Sequence, residues 1–146
     1  MNLGPGVNTE LSEGQPSVSR NGTVFFRLNA DIYRSRLVDG KYMSKEKLGD
    51  PINTATAESE PFITHDESFL LFRSLGTGGV MEDNFYISYG RPEDTWTPPI
   101  NFVKEIKGMM MFPCITPDYK FFFYWSNGFY WVSASFIETF KGEAFK

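Results

Sequence analysis

The sequence predicts an all-β fold made of about three small antiparallel sheets. Three observations carry that prediction. Aromatic residues make up 17% of the chain, with 15 Phe, 7 Tyr and 3 Trp, and aromatic side chains favour the pleated, half-buried surface of a strand. Short apolar blocks alternate with Gly, Asn, Asp and Pro, the residues that punctuate turns. Above all, one order of landmarks recurs three times: proline, polar turn, aromatic block, Tyr-centred strand. The 146 residues are one domain's worth of chain, read here as a single domain spanning 1–146. A chain of that length buries roughly 70% of the surface its unfolded form exposes, enough for a real core.

The first copy opens with Leu3-Gly4-Pro5-Gly6-Val7-Asn8-Thr9, which matches Leu48-Gly49-Asp50-Pro51-Ile52-Asn53-Thr54 at an offset of 45 residues. The same offset aligns Glu13 with Glu58 and Pro16 with Pro61. Pro16 to Ser19 reads as a short first strand, with its proline at the strand start, where no ladder donor is needed. Arg20-Asn21-Gly22 reads as a type I′ hairpin turn, because Asn-Gly tolerates positive φ. Thr23 to Arg27 is apolar nearly throughout, as expected of a strand buried on both faces. Ile32 to Leu37 alternates apolar and polar residues and forms a third strand. Asp39-Gly40 turns the chain, and a weaker fourth strand follows from about Lys41.

The second copy repeats this plan through Pro61-Phe62-Ile63-Thr64, the turn His65-Asp66-Glu67, the block Phe69-Leu70-Leu71-Phe72 and the strand Asn84-Phe85-Tyr86. Its loop at Leu75-Gly76-Thr77-Gly78-Gly79 is longer. Its fourth strand is expected near Trp96 to Phe102, interrupted by Pro98 and Pro99 as an outer edge strand tolerates. The third copy begins at Pro113, 52 residues after Pro61. It runs through Cys114-Ile115-Thr116, the turn Pro117-Asp118-Tyr119, Phe121-Phe122-Phe123-Tyr124 and Gly128-Phe129-Tyr130. The tail predicts a short C-terminal helix. Ser135 and Glu138 have capping-box spacing, Phe136 and Phe140 share a helical face, and Gly142 suits a helix stop.

Four-stranded sheets recurring at this spacing are the sequence signature of propeller blades. The blades would span approximately 14–52, 59–107 and 112–146. Asp31-Ile32-Tyr33, Leu48-Gly49-Asp50-Pro51-Ile52-Asn53-Thr54 and Trp96-Thr97-Pro98-Pro99 resemble the WD-like β-propeller repeat of TolB-type proteins. The turn that family writes as Ser-x-Asp-Gly is degenerate here: Ser19-Arg20-Asn21-Gly22, Thr64-His65-Asp66-Glu67 and Thr116-Pro117-Asp118-Tyr119. The resemblance covers nearly the whole chain and implies the fold, not an activity, since propellers host many functions. It also implies a bacterial envelope or secreted setting, although no export signal is read in the sequence: the first basic residue is Arg20. Closed propellers typically have four to eight blades. Three blades therefore imply a partial propeller or one half of a six-bladed ring formed by a homodimer.

Charge and cysteine content exclude several functions. Lys+Arg is 14 against 18 Asp+Glu, a net charge of −4, whereas nucleic-acid binding needs clustered cations. The longest apolar run, Met109 to Ile115, is too short to span a bilayer and contains a proline. The single cysteine excludes an internal disulfide and a Cys-rich zinc site. No cofactor and no metal site are expected.

Five residues are candidate ligand-binding groups, namely Asn8, Glu13, Asn53, Glu58 and Glu60. They fall on loops between blades, near the axis of a propeller, where acids and amides could hold a cation, a basic group or a sugar. The competing reading has the same side chains capping turns and bonding local backbone. His65 reads as an exposed turn residue, and Cys114 as a small buried hydrophobe. Met109-Met110-Met111-Phe112 reads as packing. Asn21-Gly22-Thr23 fits a glycosylation sequon but is better explained as a turn. The function expected is a non-catalytic module that binds a protein or a small polar or sugar ligand. The alternative is a fragment of a propeller glycosidase or sialidase-like enzyme. Asp94-Thr95-Trp96 faintly resembles a sialidase Asp-box turn, but no acid pair of glycosidase spacing stands out.

Overall fold

The computed structural model describes residues 2–75, 84–102 and 110–146. It is mostly β, with antiparallel sheets and one C-terminal helix. The first sheet contains β1 (Glu13–Val18), β2 (Val24–Leu28) and β3 (Asp31–Ser35). A separate hairpin, β4 (Leu37–Val38) with β5 (Lys41–Tyr42), follows before β6 (Glu46–Lys47) completes the sheet in the order β1-β2-β3-β6. The second sheet contains β7 (Glu58–Ile63), β8 (Phe69–Ser74) and β9 (Asn84–Arg91). Two short strands, β10 (Thr95–Trp96) and β11 (Ile100–Asn101), both pair with β9. The third sheet is β12 (Met111–Ile115), β13 (Phe121–Trp125) and β14 (Phe129–Ser133), followed by α1 (Phe136–Ala144). Among the described residues no helix is long and apolar enough to cross a membrane.

The three sheets share local devices. Gln15, Glu60 and Phe112 each precede a proline, and each has φ between 50° and 57°. In each sheet the register of the first strand shifts at that residue. The proline therefore sits at a bulge inside the strand, not at its start as the sequence suggested. A bulge leaves one residue out of the ladder, and a proline with no N–H fits beside it. The following turns also share a geometry. The amides of Gly22, Glu67 and Tyr119 donate to the carbonyls of Ser19, Thr64 and Thr116 at 3.0, 3.0 and 2.8 Å. Only the last residue of each turn has positive φ, so the turn at Gly22 is not type I′ as expected. Asn21 explains the difference. Its Oδ1 accepts from the Thr23 amide at 2.9 Å, and Asp66 and Asp118 do the same for Ser68 and Lys120. This Asx bond sets the turn and leaves Gly22, at φ 89°, to reverse the chain. Positive φ at both Asp39 and Gly40 occurs instead in the β4–β5 turn.

That hairpin corrects a second expectation. Lys41–Tyr42 pairs back onto Leu37–Val38, and Glu46–Lys47 becomes the outer strand on β3. The broken outer strand of the second sheet lies where the sequence placed it. Trp96 pairs with Gly90 and Ile100 with Ile87, with Pro98-Pro99 between them. The helix differs at both ends. Ser135 has helical backbone angles and makes no capping bond, its Oγ contacting Ser133 Oγ at 3.1 Å instead. Gly142 lies inside α1, which continues to Ala144. The loop at residues 76–79 and Met109 lie outside the described residues.

Packing runs from sheet to sheet. Strand β7 lies against β1, β2 and β3 on one side and β12 on the other. Phe25 and Ile32 of the first sheet meet Ile63, Leu70 and Phe72 of the second, with Leu48 and Ile52 completing the cluster. Leu71, Phe85 and Ile87 on the opposite face of the second sheet meet Ile115, Phe122 and Tyr124 of the third, and Ile137 of α1 joins them. Stacked ring pairs recur at the same cross-strand position: Phe26 on Tyr33, Phe72 on Tyr86 and Tyr124 on Tyr130. Phe25, Leu70 and Phe122 are fully buried, as expected from the apolar blocks.

Phe122→Ala should therefore cost about 3–5 kcal/mol, because it opens a cavity between two sheets and α1. Leu11→Ala, in an exposed loop, should cost under about 1 kcal/mol. Urea unfolding of the two variants checks the contrast, and equal costs would contradict this packing.

Candidate functional site

Each candidate ligand-binding residue takes part in intramolecular bonds. Asn53 ties the segment between two sheets to β3. Its Oδ1 accepts from the Ile32 amide and its Nδ2 donates to the Ile32 carbonyl, both at 2.8 Å, and it also bonds the Leu48 carbonyl. Asn8 is half-buried and donates to Asn2 Oδ1 at 2.5 Å. Glu13 accepts from the amide and hydroxyl of Thr9, and the hydroxyl bond holds its carboxyl below the usual range. Glu58 repeats that motif in the second sheet but is fully buried. It accepts from the Thr54 amide at 3.0 Å and from the hydroxyls of Thr54, Thr56 and Ser74 at 2.7, 3.2 and 3.0 Å.

Glu60 links neighbouring sheets. Its carboxylate accepts from Arg73 Nη1 at 3.2 Å and from the Phe112 amide at 2.6 Å. Its own amide donates to Gln15 Oε1 at 3.0 Å. The side chain at one bulge thus binds the backbone at the next bulge, twice in succession. Among the described residues no three His, Cys, Asp or Glu side chains converge as metal ligands.

The turns add a second line of contacts. Glu67 Oε1 accepts from Ser19 Oγ at 2.7 Å and Asn21 Nδ2 at 3.0 Å, and the Arg20 amide donates to the His65 carbonyl at 2.8 Å. Tyr119, at the same turn position one sheet on, packs its ring on Phe69 at 6.0 Å. His65 is exposed, as expected of a turn residue. Cys114 is exposed rather than buried. It pairs with Phe123 on the outer face of the third sheet, whereas its neighbour Ile115 faces the core. Strand alternation, hidden in sequence by the bulge, decides which of the two goes inside. In the Met cluster, Met110 is core, Met111 is half-buried and Phe112 is exposed.

One arrangement escaped the sequence. Asp94 lies in an ion cluster, bonded to Arg34 at 2.6 Å and paired with Arg36 at 2.5 Å, while Glu46 pairs with the same two arginines. Its partners are 60 and 58 residues away in sequence, a separation no local pattern reveals. The outer face of the third sheet is uncovered. Phe121, Phe123, Phe129 and Trp131 share it, with Phe129 84% and Trp131 59% exposed. No family model, curated protein or solved structure matches the chain.

Two outcomes follow. Glu60→Gln should destabilise the protein by about 1.5–3 kcal/mol, the range for hydrogen bonds to a buried charge, as read from chemical unfolding. Glu13→Gln, nearer to solvent, should have a smaller effect. Arg34 holds the Asp94 carboxyl below its ordinary value of 3.8. The stabilisation is therefore fully present above that value and disappears as pH falls through the lower folded pKa. The stability gap between wild type and Asp94→Asn should be constant near neutrality and close in acid, and a gap that widens in acid would contradict the ion pair.

Proposed function

We propose that the chain is a non-catalytic β-propeller module of three blades that functions by associating through its open end, and that its first partner is a second copy of itself. One observation carries this reading: the third sheet presents uncovered the face that the first two sheets bury. Phe25 and Leu71, the counterparts of Phe123, are fully buried between sheets, whereas Phe123 is 39% exposed. The opposite end of the stack complements it. Val18 is 48% exposed, while its counterparts Ile63 and Ile115 are buried against the preceding sheet. Val24, Phe26 and Leu28 on that end are covered by Val7 and Tyr42, so the first sheet is not bare. Its cover, however, exposes Leu37, Val38 and Met43.

A twofold pair that sets the third sheet of each copy against the covered first sheet of the other, where Leu37, Val38 and Met43 are exposed, closes six blades. An exposed aromatic face of this kind usually marks an interaction surface, and burying it contributes about 25 cal/mol per Å² of apolar area. The recurring bulges, Asx turns and stacked ring pairs support the blade reading. A catalytic reading finds less support, because Asp94, Glu58 and Glu60 are each engaged by structural partners.

Sedimentation at micromolar concentration tests the proposal. A dimer is expected, and the double variant Phe123→Ser, Trp131→Ser should be a folded monomer. A wild-type monomer that remains soluble would overturn ring closure, as would a variant that stays dimeric.

A further inference from the structure

We propose that Arg27 is the anchor of a binding site for the carboxylate of a small organic acid, in the cleft between the first and second sheets. Arg27 and Arg73 stand at the same position of successive sheets, each one residue after the stacked Phe26 or Phe72. Arg73 has a carboxylate at hand, since its Nη1 donates to Glu60. The residue that corresponds to Glu60 in the first sheet is Gln15, an amide without charge whose Oε1 is already taken by the Glu60 amide. The Arg27 guanidinium lies alongside β1, with its Nη2 4.0 Å from the place a side chain on Gly14 would occupy. Its Nε is buried and makes no hydrogen bond, and among the described residues it has no carboxylate partner.

A buried guanidinium donor left unpaired is costly, and a carboxylate with two oxygens is its natural complement. The space for one is present. Arg27, Asn29, Ser59 and Arg73 line a cavity of about 200 Å³, with Glu58 also on its wall. Asn29 and Ser59 can donate to a carboxylate oxygen that Arg27 does not reach. Glu58 is engaged by Thr54, Thr56 and Ser74, so it does not neutralise Arg27 by direct contact. Its charge nevertheless disfavours a doubly charged phosphate beside it, which selects for a single carboxylate group.

The site lies within one chain and stands or falls separately from the dimer. Propionate and inorganic phosphate are titrated into the full chain at low ionic strength, followed by calorimetry and by the NMR resonance of the Arg27 Nε–H. Saturable propionate binding with a Kd below about 10 mM, a shift of that resonance and weaker phosphate binding are expected. Gln15→Glu supplies the carboxylate from within, so it should weaken propionate about tenfold or more while raising the melting temperature. Arg27→Gln should weaken it equally, and Lys120→Gln, on a distant turn, should leave it unchanged. Absence of saturation, unchanged binding in folded Gln15→Glu, or phosphate binding as tightly as propionate would overturn the assignment.

Discussion

The arrangement of the three sheets depends on a row of backbone amides at bulges. At each bulge a residue before proline takes positive φ, outside the ladder of its own strand. Its amide can then bond sideways to the preceding sheet. Glu60 donates to Gln15 and Phe112 donates to Glu60, while Ser17 Oγ accepts from the Ile63 amide at 3.0 Å. Left-handed backbone at Gln, Glu and Phe is uncommon and costs energy. These inter-sheet bonds, with the proline beside each one, hold it in place. Apolar packing alone would allow the sheets to slide, because it is not directional. The bulge bonds fix both spacing and rotation.

The polar interior follows from the same constraint. Ile52 and Asn53, in the segment linking the first two sheets, are buried, where unpaired carbonyls and amides are expensive. Asn53 and Glu58 satisfy such groups, whereas their counterparts Asn8 and Glu13 make exposed bonds to Asn2 and Thr9. Positions where the repeat is broken carry the individual character of the chain: Gln15 in place of an acid, Phe112 in place of a polar side chain, and Trp125 where the other sheets have Arg27 and Arg73.

Such substitutions account for the two ends of the stack. The second sheet meets a neighbouring sheet on both faces. At the third sheet, aromatic side chains that would fit another sheet face outward, and Phe112 has no further bulge to bind. Helix α1 does not cover that face. It packs at the junction of the second and third sheets, where the Tyr89 hydroxyl donates to the Ile137 carbonyl at 2.6 Å and Phe136 stacks on Phe102.

Sequence alone determined the strands and the core, because both depend on local pattern. The blocks at Phe25, Leu70 and Phe122 are apolar on both strand faces, and the broken outer strand at Trp96 was legible from its prolines. The number of bulges was not legible: a proline at a strand start and a proline at a bulge read alike. That ambiguity inverted Cys114, because one extra residue in a strand exchanges its faces. The short hairpin at Asp39-Gly40 was misplaced since two-residue strands leave almost no periodicity. Tertiary structure alone decided the fate of the charges. Asp94 meets Arg34 and Glu60 meets Arg73 only after the sheets stack, and Arg27 is left unpaired only because Gln15, in an adjacent strand, lacks a charge. Sequence fixes which groups must be satisfied, but which partner satisfies them depends on distances that exist only in the folded chain.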